Sequence, residues 1–173
     1  MRLSATLVAT QAEELTNTVG ERCILLRQLN IPYIENLAVL GNKYDAVDLT
    51  GNHITKLANF PRNSMERLQS LYLADNAIEA IDGKNLSKSL TNLQNLDLSG
   101  NKIGILGEVS KLNALKKLEI LSLVGNPVTR KQHYRLYVIN QIDSLKILDY
   151  QKVTQKERAQ ATRLALSSAG AGT

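Results

Sequence analysis

The sequence is poor in the residues that would indicate disulfide bonding or an aromatic core. Its 173 residues include one cysteine, one phenylalanine and no tryptophan, and aromatic residues make up only 4%. A single cysteine cannot form an internal disulfide, which is typical of a protein in a reducing compartment. Because Cys23 lies in an apolar run, we expect a buried and unreactive thiol. The core must therefore be aliphatic.

Catalytic and metal-binding signals are also missing. The two histidines, His53 and His133, have no cysteine, histidine or aspartate neighbour at the spacing of metal ligands. The sequence contains no glycine-rich phosphate loop and no Gly-x-Ser-x-Gly nucleophile motif. We therefore expect no enzymatic activity, no catalytic residues, no metal site and no cofactor.

Long hydrophobic runs are absent as well. No apolar segment approaches the ~18–20 residues that a membrane-spanning helix needs, and the N-terminal segment lacks the apolar core of a signal peptide. We expect a soluble intracellular protein without a membrane partner. The length suits one domain rather than two.

The sequence does contain a leucine and asparagine pattern that repeats. The template Leu-x-x-Leu-x-Leu-x-x-Asn-x-Ile begins at Leu93 and recurs on both sides. Its asparagines are Asn52, Asn76, Asn101 and Asn126, with spacings of 24, 25 and 25 residues. This period is typical of leucine-rich repeats. We predict an α/β leucine-rich repeat solenoid, with a short parallel β-sheet on the concave face and a helical cap at each end.

Each repeat predicts where its side chains lie. Strand alternation sends two leucines into the core and the residue between them onto the concave face. The following asparagine should turn inward and hydrogen-bond backbone groups of the loop, so its role is structural. The segments between strands are rich in Gly, Asn and Ser, and we expect short helical or 3₁₀ turns there.

The predicted domain covers residues 1–166 and starts with an N-terminal cap over residues 1–20. Ser4 can cap a helix whose apolar positions follow the 3.6-residue period from Leu3 to Val19. Such a helix would cover the first core layer, which would otherwise face water.

The predicted C-terminal cap covers residues 129–166. It consists of a helix over 131–140, a final repeat strand and a last helix that begins with the capping box at 154–157. The core positions of that final strand are predicted to be Leu145, Leu148 and Tyr150. Residues 167–173 carry no packing signal and are predicted to be a disordered tail, or to lead into further sequence.

The concave face is the predicted partner-binding surface, since solenoids use this face for recognition. Its three aspartates, mixed with apolar side chains, suit a helix that carries basic and apolar residues. The predicted partner-binding residues are Leu25, Asp48, Tyr72, Asp97, Ser122, Ile120, Val124 and Asp149.

The net charge of +5 is concentrated near the C-terminus. Residues 1–128 hold 13 basic and 13 acidic residues, whereas residues 129–173 hold 8 basic and 3 acidic ones. A local basic excess favours a polyanionic partner such as nucleic acid, although such an excess often marks only a solvated face.

Several motifs outside the generic repeat carry a resemblance to a known family. They are Ile-Pro-Tyr-Ile-Glu-Asn-Leu at 31–37, Tyr-Asp-Ala-Val-Asp-Leu at 44–49, Asn-Pro-Val-Thr-Arg-Lys-Gln-His-Tyr-Arg-Leu-Tyr-Val-Ile at 126–139 and Leu-Asp-Tyr-Gln-Lys-Val at 148–153. On these motifs the chain resembles the A-prime family of U2 small nuclear ribonucleoprotein (snRNP) subunits. Gln28 and Leu29 depart from the family pattern, and residues 79–92 match it only as a repeat.

The resemblance implies a nuclear scaffold role in pre-mRNA splicing. Members of this family bind an RNA-recognition-motif (RRM) protein of the U2 B-double-prime type by taking one of its helices into the concave face. The heterodimer then holds a U2 snRNA stem-loop among the other spliceosome components. Base reading would belong to the partner, while basic residues of this chain would approach phosphates. The candidates for such RNA contacts are Arg27, Arg130, Lys131, Arg135 and Lys152.

A regulatory protein from another functional class stays open as an alternative. A leucine-rich repeat subunit that docks on an enzyme such as a protein phosphatase would use the same concave face. The basic last quarter of the chain and the Asn-Pro-Val-Thr motif favour the ribonucleoprotein interpretation.

Overall fold

The computed structural model describes residues 2–170 and contains ten short strands. Their bounds are β1 Glu13–Thr16, β2 Arg22–Leu25, β3 Ala46–Asp48, β4 Lys56–Leu57, β5 Ser70–Tyr72, β6 Ala80–Ile81, β7 Asn95–Asp97, β8 Ile120–Ser122, β9 Ile147–Leu148 and β10 Gln151–Lys152. Eight of them form one sheet in the order β1-β2-β3-β5-β7-β8-β9-β10, and β4 pairs with β6 separately. The parallel pairs from β2 to β9 confirm the predicted sheet.

The strand register follows the sequence repeat. Leu71 pairs with Leu96, and Leu96 pairs with Leu121, so equivalent positions of successive repeats lie side by side. These leucines are at most 2% exposed. The core is therefore a stack of aliphatic layers beneath the sheet, as the scarcity of aromatic residues predicted.

Short helices and 3₁₀ segments connect most of the repeats, which confirms the expectation for these connections. The α-helices are α1 Ala5–Gln11, α2 Gly83–Ser89, α3 Leu106–Ser110, α4 Tyr134–Gln141 and α5 Gln155–Gly170, and the 3₁₀ segments are Leu37–Leu40, Lys111–Ala114 and Pro127–Arg130. Between β3 and β8, no single α-helix or 3₁₀ segment exceeds seven residues. The repeats are too short for longer helices on the convex side.

The four asparagines form a hydrogen-bonded ladder between repeats. Asn101 accepts from the backbone N–H of Ile78 at 2.9 Å and donates to the carbonyls of Leu73 at 2.9 Å and Leu98 at 3.0 Å. Each amide therefore joins its own repeat to the preceding one. Equivalent bonds are made by Asn52, Asn76 and Asn126. All four side chains are buried, and they satisfy backbone groups that would otherwise be unpaired.

The N-terminal cap is only partly the predicted helix. Ser4 caps α1 by accepting from the N–H of Leu7 at 3.1 Å, but the helix ends at Gln11 rather than continuing to Val19. Strand β1 follows and pairs antiparallel with β2. The sheet edge at β2 offers unpaired backbone groups that a strand can satisfy and a helix cannot. The prediction of a helix that continues to Val19 was therefore wrong.

The C-terminal cap differs from the prediction at three points. Helix α4 begins at Tyr134 instead of residue 131, since His133 has a left-handed φ of 57° and a 3₁₀ segment precedes it. Tyr150 is 74% exposed and not a core residue. Helix α5 continues through Gly170, so residues 167–170 are helical and not disordered, while 171–173 lie outside the described residues.

The capping box of α5 is present as expected. The backbone N–H of Thr154 donates to Glu157 Oε2 at 2.8 Å, and the N–H of Glu157 donates to Thr154 Oγ1 at 3.2 Å. These reciprocal bonds satisfy two N–H groups at the start of the helix.

We predict that Asn101→Ala lowers the free energy of unfolding by ~2–4 kcal/mol. The buried N–H of Ile78 loses its acceptor, and the carbonyls of Leu73 and Leu98 each lose one of their two asparagine donors. Chemical denaturation measures the change. Asn113→Ala is the matched control, since Asn113 is exposed on a convex 3₁₀ segment, and should cost less than ~0.5 kcal/mol. Equal losses of stability from the two substitutions would contradict a stabilising role for the asparagine ladder.

Candidate protein-binding surface

The predicted concave strip exists as one row across the sheet. Strand pairing places Leu25 beside Asp48, and continues the row through Tyr72, Asp97 and Ser122. The concave face thus presents these side chains from five neighbouring repeats on a preformed surface.

The first carboxylate of this row is neutralised within the chain. Asp48 Oδ2 accepts from Arg27 Nη2 at 2.6 Å and from Arg27 Nε at 2.7 Å, and Asp48 Oδ1 accepts from the N–H of Thr50 at 2.9 Å. The hydrogen bond to Asp48 raises the pKa of the Arg27 guanidinium. Because the carboxylate is buried and paired, Asp48 contributes less attraction for a basic partner than the sequence suggested.

Asp97 is the carboxylate that stays open to a partner. It is half-buried, and its Oδ1 accepts from the N–H of Ser99 at 2.9 Å and from the Ser99 hydroxyl at 2.6 Å. Among the described residues, no lysine, arginine or histidine forms an ion pair with it. A cation from another molecule could therefore pair with Asp97.

Apolar side chains lie next to Asp97 toward the C-terminal end of the sheet. Ile120 and Val124 are 40% and 43% exposed, and they lie on either side of Ser122 along the chain. Ser122 itself is buried, and its hydroxyl has no hydrogen-bond partner in the described part of the chain. On the other side of Asp97, burial raises the pKa of Tyr72, which keeps its phenol protonated as a possible donor.

Asp149 is not part of the open strip. Its Oδ1 accepts from the N–H of Leu123 at 2.7 Å and its Oδ2 accepts from the Tyr134 hydroxyl at 2.9 Å. Burial and the adjacent Asp149 carboxylate raise the pKa of Tyr134 far above its usual value. Both carboxylate oxygens of Asp149 are thus engaged within the chain, and its contact with a partner stays a prediction. Sequence spacing could not show that the chain turns at this residue.

The turn at Asp149 instead exposes Tyr150. Both residues have positive φ angles, 51° and 63°, and form the two-residue loop between β9 and β10. This is the pattern of a type I′ hairpin turn, in which Gly is favoured at the second position. A tyrosine there is held in a backbone conformation that costs free energy. Its exposed ring lies beside the end of the concave sheet, where sequence reasoning had placed a core residue.

Arg135 holds the outer side of this hairpin. Its guanidinium donates to the carbonyl of Leu148 at 2.9 Å and to Glu157 Oε1 at 2.7 Å. It also contacts the carbonyl of Lys152 at 3.3 Å. The hydrogen bond from Arg135 is the main cause that lowers the pKa of Glu157 to about 2. Arg135 is therefore engaged by the fold, and its role as an RNA contact stays a prediction.

The remaining basic candidates are accessible. Arg130 and Lys131 lie at the start of the C-terminal cap, and Lys152 lies on β10, and all three are exposed. Arg27 is exposed for 56% of its side chain but pairs with Asp48. Of the five predicted RNA contacts, Arg130, Lys131 and Lys152 are therefore the ones that another molecule could contact most easily.

Within residues 2–170, no cluster of three or more histidine, cysteine, aspartate or glutamate side chains has an arrangement that could hold a metal ion. In the same range, no helix is both long and apolar enough to cross a membrane.

Comparison with known proteins identifies the family. A family model described as leucine-rich repeat matches residues 1–172. The chain is 41% identical over 171 residues to the U2 small nuclear ribonucleoprotein A' of Homo sapiens and 42% identical over 161 residues to that of Schizosaccharomyces pombe. These alignments cover 99% and 93% of this chain, which spans 66% of the length of each relative. The chain belongs to the U2 A' family.

A solved structure of a U2 A' complex has the same fold. The chain is 35% identical to a chain in the crystal structure of the Drosophila melanogaster SNF/U2A' complex, with a TM-score of 0.89. The match covers 94% of this chain and 91% of that chain. The fold described above is therefore shared with a solved U2 A' chain over most of its length.

The exposed tyrosine generates a stability prediction. Tyr150→Gly should raise the free energy of unfolding by ~1 kcal/mol, because glycine adopts positive φ without the steric penalty of a Cβ atom. Tyr33→Gly is the control, since Tyr33 is 58% exposed but is not among the positive-φ residues; it should lower stability. Chemical denaturation of both variants measures this, and a loss of stability in both would show that Tyr150 is not strained.

The Arg135 and Glu157 pair generates a pH prediction. The folded-state pKa of Glu157 lies near 2, below its ordinary 4.5, so the pair stabilises the fold above pH 4.5 and loses this contribution as the pH falls toward 2. Glu157→Gln should therefore be less stable than the unmodified chain by roughly 1–2 kcal/mol at pH 7, a value reduced by partial solvent exposure. Denaturation curves of the two proteins should converge near pH 2. A difference in stability between the two proteins that does not change with pH would contradict a stabilising Arg135–Glu157 pair.

Proposed function

We propose that this chain is a scaffold subunit of the U2 snRNP that binds an RRM protein of the U2 B-double-prime type through its concave face. The names of its curated relatives and the SNF/U2A' complex support the assignment. The structural observation that carries it is the open Asp97 carboxylate next to the exposed Ile120 and Val124. This combination suits a helix with one basic and several apolar side chains.

The spacing of the sheet favours a helix that runs across the strands. Neighbouring strands lie about 4.8 Å apart, and one helical turn advances about 5.4 Å. Side chains at positions i and i+4 of such a helix would therefore lie over successive strands. A basic residue over β7 would meet Asp97, and an apolar residue one turn later would meet Ile120 or Val124. Charge pairing would fix orientation, while the apolar contacts would supply most of the affinity.

The proposed RNA contribution is electrostatic. Arg130, Lys131 and Lys152 are exposed on the C-terminal side of the solenoid, where they would contact phosphates of a U2 snRNA stem-loop held mainly by the partner. Such contacts add a salt-dependent term and read no bases. With this role, the protein would work in the nucleus in pre-mRNA splicing, together with other spliceosome components.

We predict that Asp97→Lys weakens binding of the RRM partner by ~1–3 kcal/mol, since it places like charge against a basic helix. Isothermal titration calorimetry measures the affinity, and circular dichroism checks that the solenoid stays folded. Glu79→Lys makes the same charge change at an exposed residue outside the concave row and should leave the affinity unchanged. Unchanged binding by Asp97→Lys would locate the interface elsewhere.

A gel-shift titration tests the whole proposal. The U2 stem-loop is titrated with this chain alone, with the RRM partner alone and with both, at two salt concentrations. Weak binding by this chain alone, together with tighter binding by the pair, is the expected result. If the chain neither binds the partner nor changes its RNA affinity, the proposal fails and an enzyme-docking role becomes the better hypothesis.

A further inference from the structure

A second surface that is suited to binding lies on the C-terminal cap, formed by α3, α4 and α5. A groove of about 300 Å³ lies between these helices. Its apolar part contains Leu106 of α3, Leu136 and Tyr137 of α4, and Ala161, Leu164 and Ala165 of α5. A shallower extension shares Leu136 and Leu164 and continues to Gln160 and Arg163. The surface is separate from the concave row.

The rim of this groove is polar and not used by the fold. Gln132, Asn140 and Gln141 border it, and their side chains make no hydrogen bond within the described part of the chain. The ladder asparagines, by contrast, all hydrogen-bond backbone groups of the fold. Amide groups around an apolar centre provide the orienting contacts that a bound segment needs.

The charge around the groove has one sign. Arg163 lines the extension and His133 borders both parts. Arg163 forms no ion pair with the described residues, and none of the residues lining either part is Asp or Glu. An occupant with carboxylates would therefore meet a cation without repulsion, whereas a basic occupant would be repelled.

We infer that the α3–α4–α5 groove binds an acidic amphipathic helix of a protein partner. Apolar side chains of that helix, spaced by one turn, would contact Leu136 and Leu164, and its carboxylates would pair with Arg163. A nucleic acid fits this surface less well because the centre of the groove is aliphatic and holds a single arginine. This partner is chemically opposite to the basic helix proposed for the concave face, so one chain could hold both at once.

A displayed library of helical peptides provides the test. Each peptide carries leucine at positions i, i+4 and i+7, and its remaining outward positions are drawn from Glu, Lys, Gln and Ser. Selection on the folded chain should enrich Glu over Lys. In NMR titrations, the selected peptide should shift amide signals of α4 and α5 and leave those of β5 and β7 unchanged.

Three variants of α5 locate the binding site. Arg163→Glu should weaken the selected acidic peptide about fivefold or more, and Leu164→Glu should abolish its binding. Leu166→Glu is the matched control, since Leu166 is 69% exposed and does not line the groove. Circular dichroism checks that each variant is folded. If Leu164→Glu unfolds the chain, the effect of Arg163→Glu still decides whether the peptide binds at this groove. Enrichment of Lys, no enrichment at all, or binding that is insensitive to Arg163→Glu would overturn the inference, while the concave-face proposal would stand.

Discussion

The structure depends on the buried asparagine amide that closes each repeat. Its oxygen accepts from the loop that leaves the previous strand, and its nitrogen donates to the carbonyls that end two adjacent strands. Few other side chains can satisfy donors and acceptors on both sides in so small a space. Because the amide must reach both repeats, it fixes their distance and register. The parallel sheet, the aliphatic layers and the concave row of side chains all follow from that fixed spacing.

The ends of the solenoid need a different solution, since no further repeat continues the ladder. At both ends the sheet is completed by an antiparallel strand, β1 at one end and β10 at the other. Pairing uses up the edge hydrogen bonds of β2 and β9, which an unpaired parallel edge would leave open. The helices α1 and α5 then cover the apolar layers. Antiparallel pairing and helix packing therefore act together to cap the two ends of the repeat stack.

The sequence predicted the interior of the fold well because the repeat is a local pattern. Leu96, Leu121 and the four asparagines each follow from the template alone. The ends were less predictable, since Leu15 of β1 also fits a helical period, and a tyrosine after aspartate gave no sign of a hairpin turn. The contacts that the site residues make within the chain were hard to predict for a similar reason. Asp48 pairs with Arg27, and Asp149 binds Leu123 and Tyr134, and such pairings arise only once distant residues meet.

The C-terminal cap links the two surfaces of the molecule physically. Glu157 at the start of α5 holds Arg135 of α4, and Arg135 in turn binds the carbonyl of Leu148 in β9. Strand β9 pairs with β8, which carries Ile120 of the concave face. The same contacts hold the hairpin that keeps Tyr150 in its strained, exposed position. A charged pair in the cap thus positions an aromatic side chain at the edge of the proposed interface. Because a strained conformation persists only where surrounding contacts hold it, the exposed position of Tyr150 depends on the packing of α4 and α5 behind the hairpin.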